Sequence, residues 1–229
     1  DDAVMNVLVV AAHPDDEVLG AGGVIGRHVA AGDAVTVLIL GSGLSARLNA
    51  PSSLDAGALS QLRSDAAQAA AVLGVTDLRL LDFPDNRFDS IDLLDIVKST
   101  EQVMDEVQPS LVYTHHPGDL NIDHQRTAMA VLTACRPQPG VSVERILAME
   151  VPSATGWGGP AHAFLPMVFV DIRATLERKL KAMAAYQSEL REFPHARSLT
   201  SIEARARAWG SQVGLPAAEP FVLLREIQR

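Results

Sequence analysis

The chain lacks the features that would commit it to a disulfide framework, a bilayer or a polyanionic partner. Its 229 residues include one cysteine, Cys135, so no internal disulfide can form. A lone thiol in a helical stretch reads as a small buried apolar residue. No apolar run approaches the ~20 residues that a membrane-spanning helix needs, and no signal-peptide pattern precedes the first strand. A cytoplasmic location is therefore expected. Cations are in deficit, with 19 Lys and Arg against 28 Asp and Glu and a net charge of −9. That balance argues against nucleic acid or an anionic membrane as a partner. An anionic substrate would need a locally basic or metal-bearing pocket. Internal repeats, low-complexity tracts and domain linkers are also missing. With 48% hydrophobic and 21% charged residues, one globular domain over residues 1–229 is expected. Residues 1–4, ahead of Met5, read as a cloning remnant. Oligomeric state is not legible, and a homo-oligomer stays open.

One stretch organises what is present: the apolar run 7–12, then His13, Pro14, Asp15, Asp16 and Glu17. The run is short and rich in β-branched residues, as in a strand buried on both faces. Pro14 cannot continue a ladder, so the strand ends there. Apolar residues then recur at helical spacing from Val18 through Ile25 to Val29, which puts a helix start at residues 15–17. Acids in a first turn commonly cap free N–H groups and suit the helix dipole. That does not account for a histidine just before two adjacent aspartates. One imidazole and one carboxylate three residues apart on a tight turn can converge on a divalent ion, with the other aspartate beside whatever the ion holds.

The rest alternates. Strands are expected at 34–40, 78–83 and 110–114, and helices at 59–73, ending before Gly74, and 91–107, stopped by Pro109. Gly41-Ser42-Gly43 opens a polar stretch to about Leu54, a plausible pocket rim but a weak phosphate cradle, because it lacks a P-loop lysine. A second rim segment is 85–89. This alternation argues for an α/β fold: a doubly wound, mostly parallel, Rossmann-like sheet with helices on both faces. In such folds ligands sit beyond the carboxyl ends of the strands where the order reverses. With the order 3-2-1-4, the loop after the fourth strand faces His13, Asp15 and Asp16.

That loop carries His115, His116, Asp119, Asn121, Asp123 and His124. It runs into a helical pattern at 125–134, so His124 lies in a first turn and can supply the third protein ligand of an open, catalytic-type site. Asp123 or Asp119 can orient a ligating imidazole. Farther on, strands are expected at 145–152 and 166–171, around a Gly/Trp-rich loop at 153–162 that suits a lid or a plain connection. Helices are expected at 176–190 and 202–213, with a last strand at 221–225.

Ala12-His13-Pro14-Asp15-Asp16-Glu17 together with Asp123-His124 resembles the signature of the PIG-L/LmbE-like zinc deacetylases, which remove acetyl groups from N-acetylated amino sugars and their conjugates. The resemblance covers most of the chain, including the segment near Asp85 and residues 193–198. It implies one zinc ion, or another first-row divalent metal, held by His13, Asp16 and His124, with Asp15 as general base. Asp15 is expected to stay ionised, favoured by the metal and the helix N-terminus. Many relatives carry a second histidine three residues before the final ligand; here that position is Asn121. Asn121 can donate a hydrogen bond to an oxyanion but cannot be a cationic acid. His116 and His195 are the candidates to replace the missing charge. Arg47 and Arg63 are expected to contact a phosphate or sugar hydroxyls, and Asp85 and His116 to line the substrate pocket. The expected partner is a small N-acetylated amino sugar, free or linked to a nucleotide or glycoside.

Two other functions compete. A phosphoester hydrolase would use acid-rich loops through magnesium or paired metals, whereas two imidazoles and one carboxylate favour zinc. A sugar-binding protein that keeps its metal without turnover is motivated by Asn121, but such a protein has no need of Asp15.

Overall fold

In a computed structural model, residues 4–43 and 56–228 are described. Seven strands form one sheet: β1 (Asn6–Ala11), β2 (Ala34–Gly41), β3 (Asp77–Phe83), β4 (Leu111–His115), β5 (Arg145–Met149), β6 (Val168–Asp171) and β7 (Ala218–Glu226). Six helices connect them: α1 (Asp16–Ala31), α2 (Ala56–Leu73), α3 (Leu93–Val107), α4 (Ile122–Ala134), α5 (Leu176–Ala185) and α6 (Leu199–Gln212). The order is β3-β2-β1-β4-β5-β7-β6. The first five strands are mutually parallel, whereas β7 runs antiparallel to both β5 and β6. The expected 3-2-1-4 order therefore holds, and β1 and β4 are neighbours at the switch point.

The β1 sequence explains its central place. Alternate residues Val7, Val9 and Ala11 enter one core with α1, α2 and α5, while Leu8 and Val10 enter another with α3 and α4. A strand apolar on both faces is stable only between two helical layers. Helix α1 packs unusually close. A Cβ at Gly20 would lie 2.6 Å from Met149 Sδ, and one at Gly23 would lie 2.7 Å from Ile172 Cγ2. Only hydrogen fits there, which anchors the helix whose first turn carries the acids.

A buried ion pair also reaches into α1. Lys179 Nζ donates to Glu219 Oε1 at 2.6 Å and to the Leu19 carbonyl at 2.8 Å. Glu219 in turn accepts the N–H groups of Gly23 and Val24 at 2.8 and 2.7 Å. Each buried charge thus meets both its counter-ion and backbone dipoles, as burial demands.

The longest departure from the sequence expectation is α5, which stops at Ala185 rather than running to Leu190. Tyr186 leaves helical geometry at φ −80° and ψ 65°. Its buried hydroxyl donates to Glu17 Oε1 at 2.6 Å, a tertiary bond that a continued helix would forgo. Strand β5 ends at Met149 instead of residue 152, and β7 extends from Ala218 to Glu226 because it pairs on both sides.

Candidate metal centre and its cavity

The turn after β1 is held by its own acids. Asp15 has φ 97°, a left-handed conformation that costs a non-glycine residue of order 1 kcal/mol or more. Its N–H donates to Glu17 Oε2 at 3.1 Å, and Tyr186 fixes the other Glu17 oxygen. Asp16 Oδ2 accepts the His13 N–H at 3.0 Å. The acids therefore shape the turn, and Asp15, at the N-cap position, makes no side-chain cap bond. Strain at one residue, secured by two supports, is a usual mark of a functional position.

Three donors converge on this turn. His13 Nδ1 and His124 Nε2 each lie 3.2 Å from Asp16 Oδ2. The outer nitrogen of each ring faces carboxylates. His13 Nε2 is 2.9 Å from Asp123 Oδ2 and 3.0 Å from Asp85 Oδ1; His124 Nδ1 is 3.1 Å from Asp119 Oδ2. The two acids that the sequence leaves as alternatives thus divide the work, one to each imidazole. Both are anchored in turn. Asp123 Oδ1 accepts the Phe88 N–H at 2.9 Å, and Asp119 accepts the Asn121 N–H at 2.8 Å and the Thr155 hydroxyl at 2.6 Å.

This arrangement fits a divalent metal. With the outer nitrogen of His13 bonded to Asp123 and that of His124 facing Asp119, the inner nitrogen of a neutral ring presents a lone pair, and both lone pairs face a carboxylate oxygen. Among the described residues, buried Asp16 Oδ1 has no hydrogen-bond partner. Converging acceptors of this kind call for a cation, and two imidazoles with one carboxylate, each ring held by an acid, suit zinc-type coordination. A second grouping, His13 with Asp85 and Asp123, shares the same ring, but Asp123 already accepts two backbone N–H groups, from Asn86 and Phe88. It acts there as an orienting acid.

Burial sets the electrostatics. Burial would lower the His13 pKa, but hydrogen bonds to Asp123, Asp16 and Asp85 hold it well above 6.5. His124 is pushed up to about 9, as Asp16 and Asp119 outweigh burial. Asp16 lies well below the usual carboxylate range because His124 and His13 outweigh its burial. Asp15 moves the other way. Burial, with Asp16, Glu189 and Glu17 nearby, raises it, and Arg197 opposes. Glu17 rises to about 7 through burial, restrained by its bond to Tyr186. His115 falls to about 3 because it is buried beside His124, on which it stacks at 3.9 Å between centroids. Neutral His115 accepts the Ala12 N–H at 2.8 Å, which ties the end of β4 to the end of β1.

Above these donors lies a cavity of about 350 Å³. Of the sequence candidates, His13, Asp15, Asp85, Asn121, His124 and His195 line it, and Asp16 is buried beneath. Asn121 serves as the N-cap of α4: its Oδ1 accepts the Asp123 N–H at 2.8 Å and its Nδ2 donates to Asn86 Oδ1 at 3.2 Å. His116 is not on the cavity wall; its Nε2 lies 3.1 Å from the His162 carbonyl and its ring meets Phe164 edge-on. Arg63 stands apart on α2, paired with Asp82. Arg47 lies outside the described residues, as does most of the 42–54 rim. A larger hollow of about 570 Å³ at the other end of the strands contains none of the candidate residues.

The sequence missed Arg197 and Glu189, which line the cavity, and Tyr186 behind it. Arg197 lies in the segment 193–198, where the sequence directs attention to His195 instead. Tyr186 and Glu189 were hidden inside an overextended helix. Nothing in the spacing marks that end, because Leu176, Leu180, Met183, Tyr186 and Leu190 keep helical intervals through it.

The family described as PIG-L, GlcNAc-PI de-N-acetylase, matches residues 8–135. The chain is 29% identical over 189 residues to the uncharacterized deacetylase YaiS of Escherichia coli, covering 80% of this chain and 90% of that protein. It is 29% identical over 190 residues to a probable N-acetyl-alpha-D-glucosaminyl L-malate deacetylase 2 of Bacillus cereus, covering 80% and 83%. The crystal structure of the conserved protein TT1542 from Thermus thermophilus superposes with a TM-score of 0.77 at 26% identity, over 99% of this chain and 97% of that one.

Proposed function

The chain belongs to the PIG-L family of GlcNAc-PI de-N-acetylases, and from that premise we propose that it hydrolyses the acetamide of a small N-acetylated amino sugar with zinc held by His13, Asp16 and His124. The observation that carries the reading is the convergence of these three donors, with each imidazole secured from behind by its own carboxylate. Zinc, when bound there, supplies Lewis acidity, acidifying water and drawing charge from the acetamide carbonyl.

The chain supplies the remainder. Asp15 sits beside the donors with, among the described residues, no hydrogen bond to either oxygen, so it is free to take a proton from the attacking water. Its left-handed backbone, held through Glu17 and Tyr186, keeps that carboxylate turned to the cavity. The same group returns the proton to the leaving nitrogen. His13 and His124 keep one tautomer each because Asp123 and Asp119 occupy their outer nitrogens. The polar wall that includes Asp85 and Ser153 suits sugar hydroxyls. The cognate relative named above points to a glucosaminyl conjugate as the class of substrate.

Acetate release from N-acetylhexosamines, their nucleotide-linked forms and N-acetylated glycosides tests the reading. Release should vanish on chelation and return with zinc. Zinc-loaded protein that releases acetate from none of them would leave a metal-retaining binding protein in its place.

A further inference from the structure

Resting on that deacetylase reading, we propose that Arg197 is the fixed cation of the reaction centre and takes the charge-stabilising part that the family resemblance assigns to a histidine at position 121. Asn121 is committed elsewhere, capping α4 with its oxygen and donating to Asn86 with its nitrogen. Arg197 reaches the cavity from the irregular chain between α5 and α6. Its Nε is buried, has no hydrogen-bond partner among the described residues, and stands 3.4 Å from Asp15 Oδ2.

The guanidinium is held by the chain around it. Its Nη1 donates to Glu189 Oε2 at 2.9 Å. The Arg197 backbone N–H donates to His195 Nδ1 at 3.1 Å, and Ser198 begins α6 as its N-cap. Of the basic groups that this segment puts on the wall, Arg197 is the one paired with Asp15 among the described residues. Arg191 Nη1 donates to the carbonyls of Ser188 and Leu190, and His195 Nδ1 accepts the Arg197 N–H. Arg197 is left as the cation with a donor facing the base. Unlike an imidazole, it needs no proton from solvent to keep its charge.

The chemistry uses that position twice. As the water oxygen bonds to the acetamide carbon, its proton passes to Asp15, and negative charge moves from the Asp15 carboxylate to the carbonyl oxygen. A guanidinium beside Asp15 pairs with the charge before the transfer and with the oxyanion after it. The Asp15 proton then moves to nitrogen as the C–N bond breaks. The products are the amine and acetic acid, which ionises to acetate, and Asp15 is again a carboxylate.

The test compares zinc-loaded wild type, Arg197→Ala, Arg197→Lys and Asn121→Ala on the best N-acetylated substrate, with acetate binding measured by calorimetry on the same proteins. Arg197→Ala should lose on the order of 100-fold in kcat with KM changed by less than about threefold. Added guanidinium should restore part of that loss, which a merely structural role would not allow. Arg197→Lys, which keeps a charge and guards against a folding artefact, should fall in between. Asn121→Ala should lose no more than about fivefold, without rescue. Acetate affinity should drop by about tenfold or more in Arg197→Ala alone. A kcat for Arg197→Ala within about threefold of wild type, or loss without guanidinium rescue, would overturn the assignment. If wild type turns over no substrate, the deacetylase reading fails by itself. Acetate binding then still decides, because affinity unchanged in Arg197→Ala, or absent in wild type, sinks the proposal.

Discussion

The loops leaving β1 and β4 and the irregular chain between α5 and α6 meet on one cavity, but they are held by different means. The first two are short continuations of adjacent parallel strands. Their side chains are fixed by acids one to three residues away or on the facing loop, as with Asp16 on the His13 N–H and Asp119 on the Asn121 N–H. The third region has no strand to lead it in. Its contacts with the first turn are tertiary: Tyr186 on Glu17, 169 residues away, and Arg197 on Asp15. One region provides the donors; the other sets the electrostatics and geometry of the base. Converging donors can therefore come from motif-bearing loops while the carboxylate beside them is faced by chain that bears no motif.

That division can be broken most sharply at Asp15. Asp15→Asn should keep zinc, measured by metal analysis, and lose on the order of 1,000-fold in kcat. Comparable turnover would remove Asp15 from the base role. Next comes Asp123→Asn. An amide accepts on one side only, yet Asp123 takes backbone N–H groups on both oxygens and faces His13 as well. Zinc affinity in a competition titration should fall by about 10- to 100-fold. Unchanged affinity would mean that His13 needs no support. Tyr186→Phe crosses from one region to the other. The ring stays packed, but Glu17 loses its donor, so denaturant unfolding should show a loss of about 1–3 kcal/mol with metal content intact. A kcat falling by more than the folded fraction explains would place Tyr186 among the groups that orient Asp15. The smallest effect should come from Asn121→Ala, where loss of a helix cap costs about 1 kcal/mol of stability. A neutral melt would separate Asn121 from α4.

The same contrast explains what the sequence made legible. Residues 7–12 announce a central strand because both faces are apolar, and the parallel order follows from short strand–helix alternation. The convergence of His13, Asp16 and His124 was legible because the first two directly follow a strand end and the third lies in the first turn of a helix, where chain geometry confines the side chain. Two expectations met a different local physics. The acids of the first turn do not cap α1; they bend and brace the turn itself. Asn121 does cap a helix, where the sequence suggested an oxyanion donor. Asp15, expected to be kept ionised by the metal and the helix end, is opposed by its own burial and supported by Arg197. Arg197 escaped notice because a guanidinium in a proline-containing loop has no periodicity to place it, and its partners become neighbours only when the chain closes.

The Lys179–Glu219 pair bonded to the backbone of α1 gives that closure a time order. The N–H of Gly23 finds its carboxylate 196 residues later in the chain. A growing chain therefore carries the residues of the turn after β1 early and completes the helix that follows them only once β7 has been made. Contacts of such long separation form slowly. Nascent chains halted before Ala218 should leave α1 open to limited proteolysis, and chains extended through β7 should protect it; equal protection of both would show that the helix matures without its distant partner.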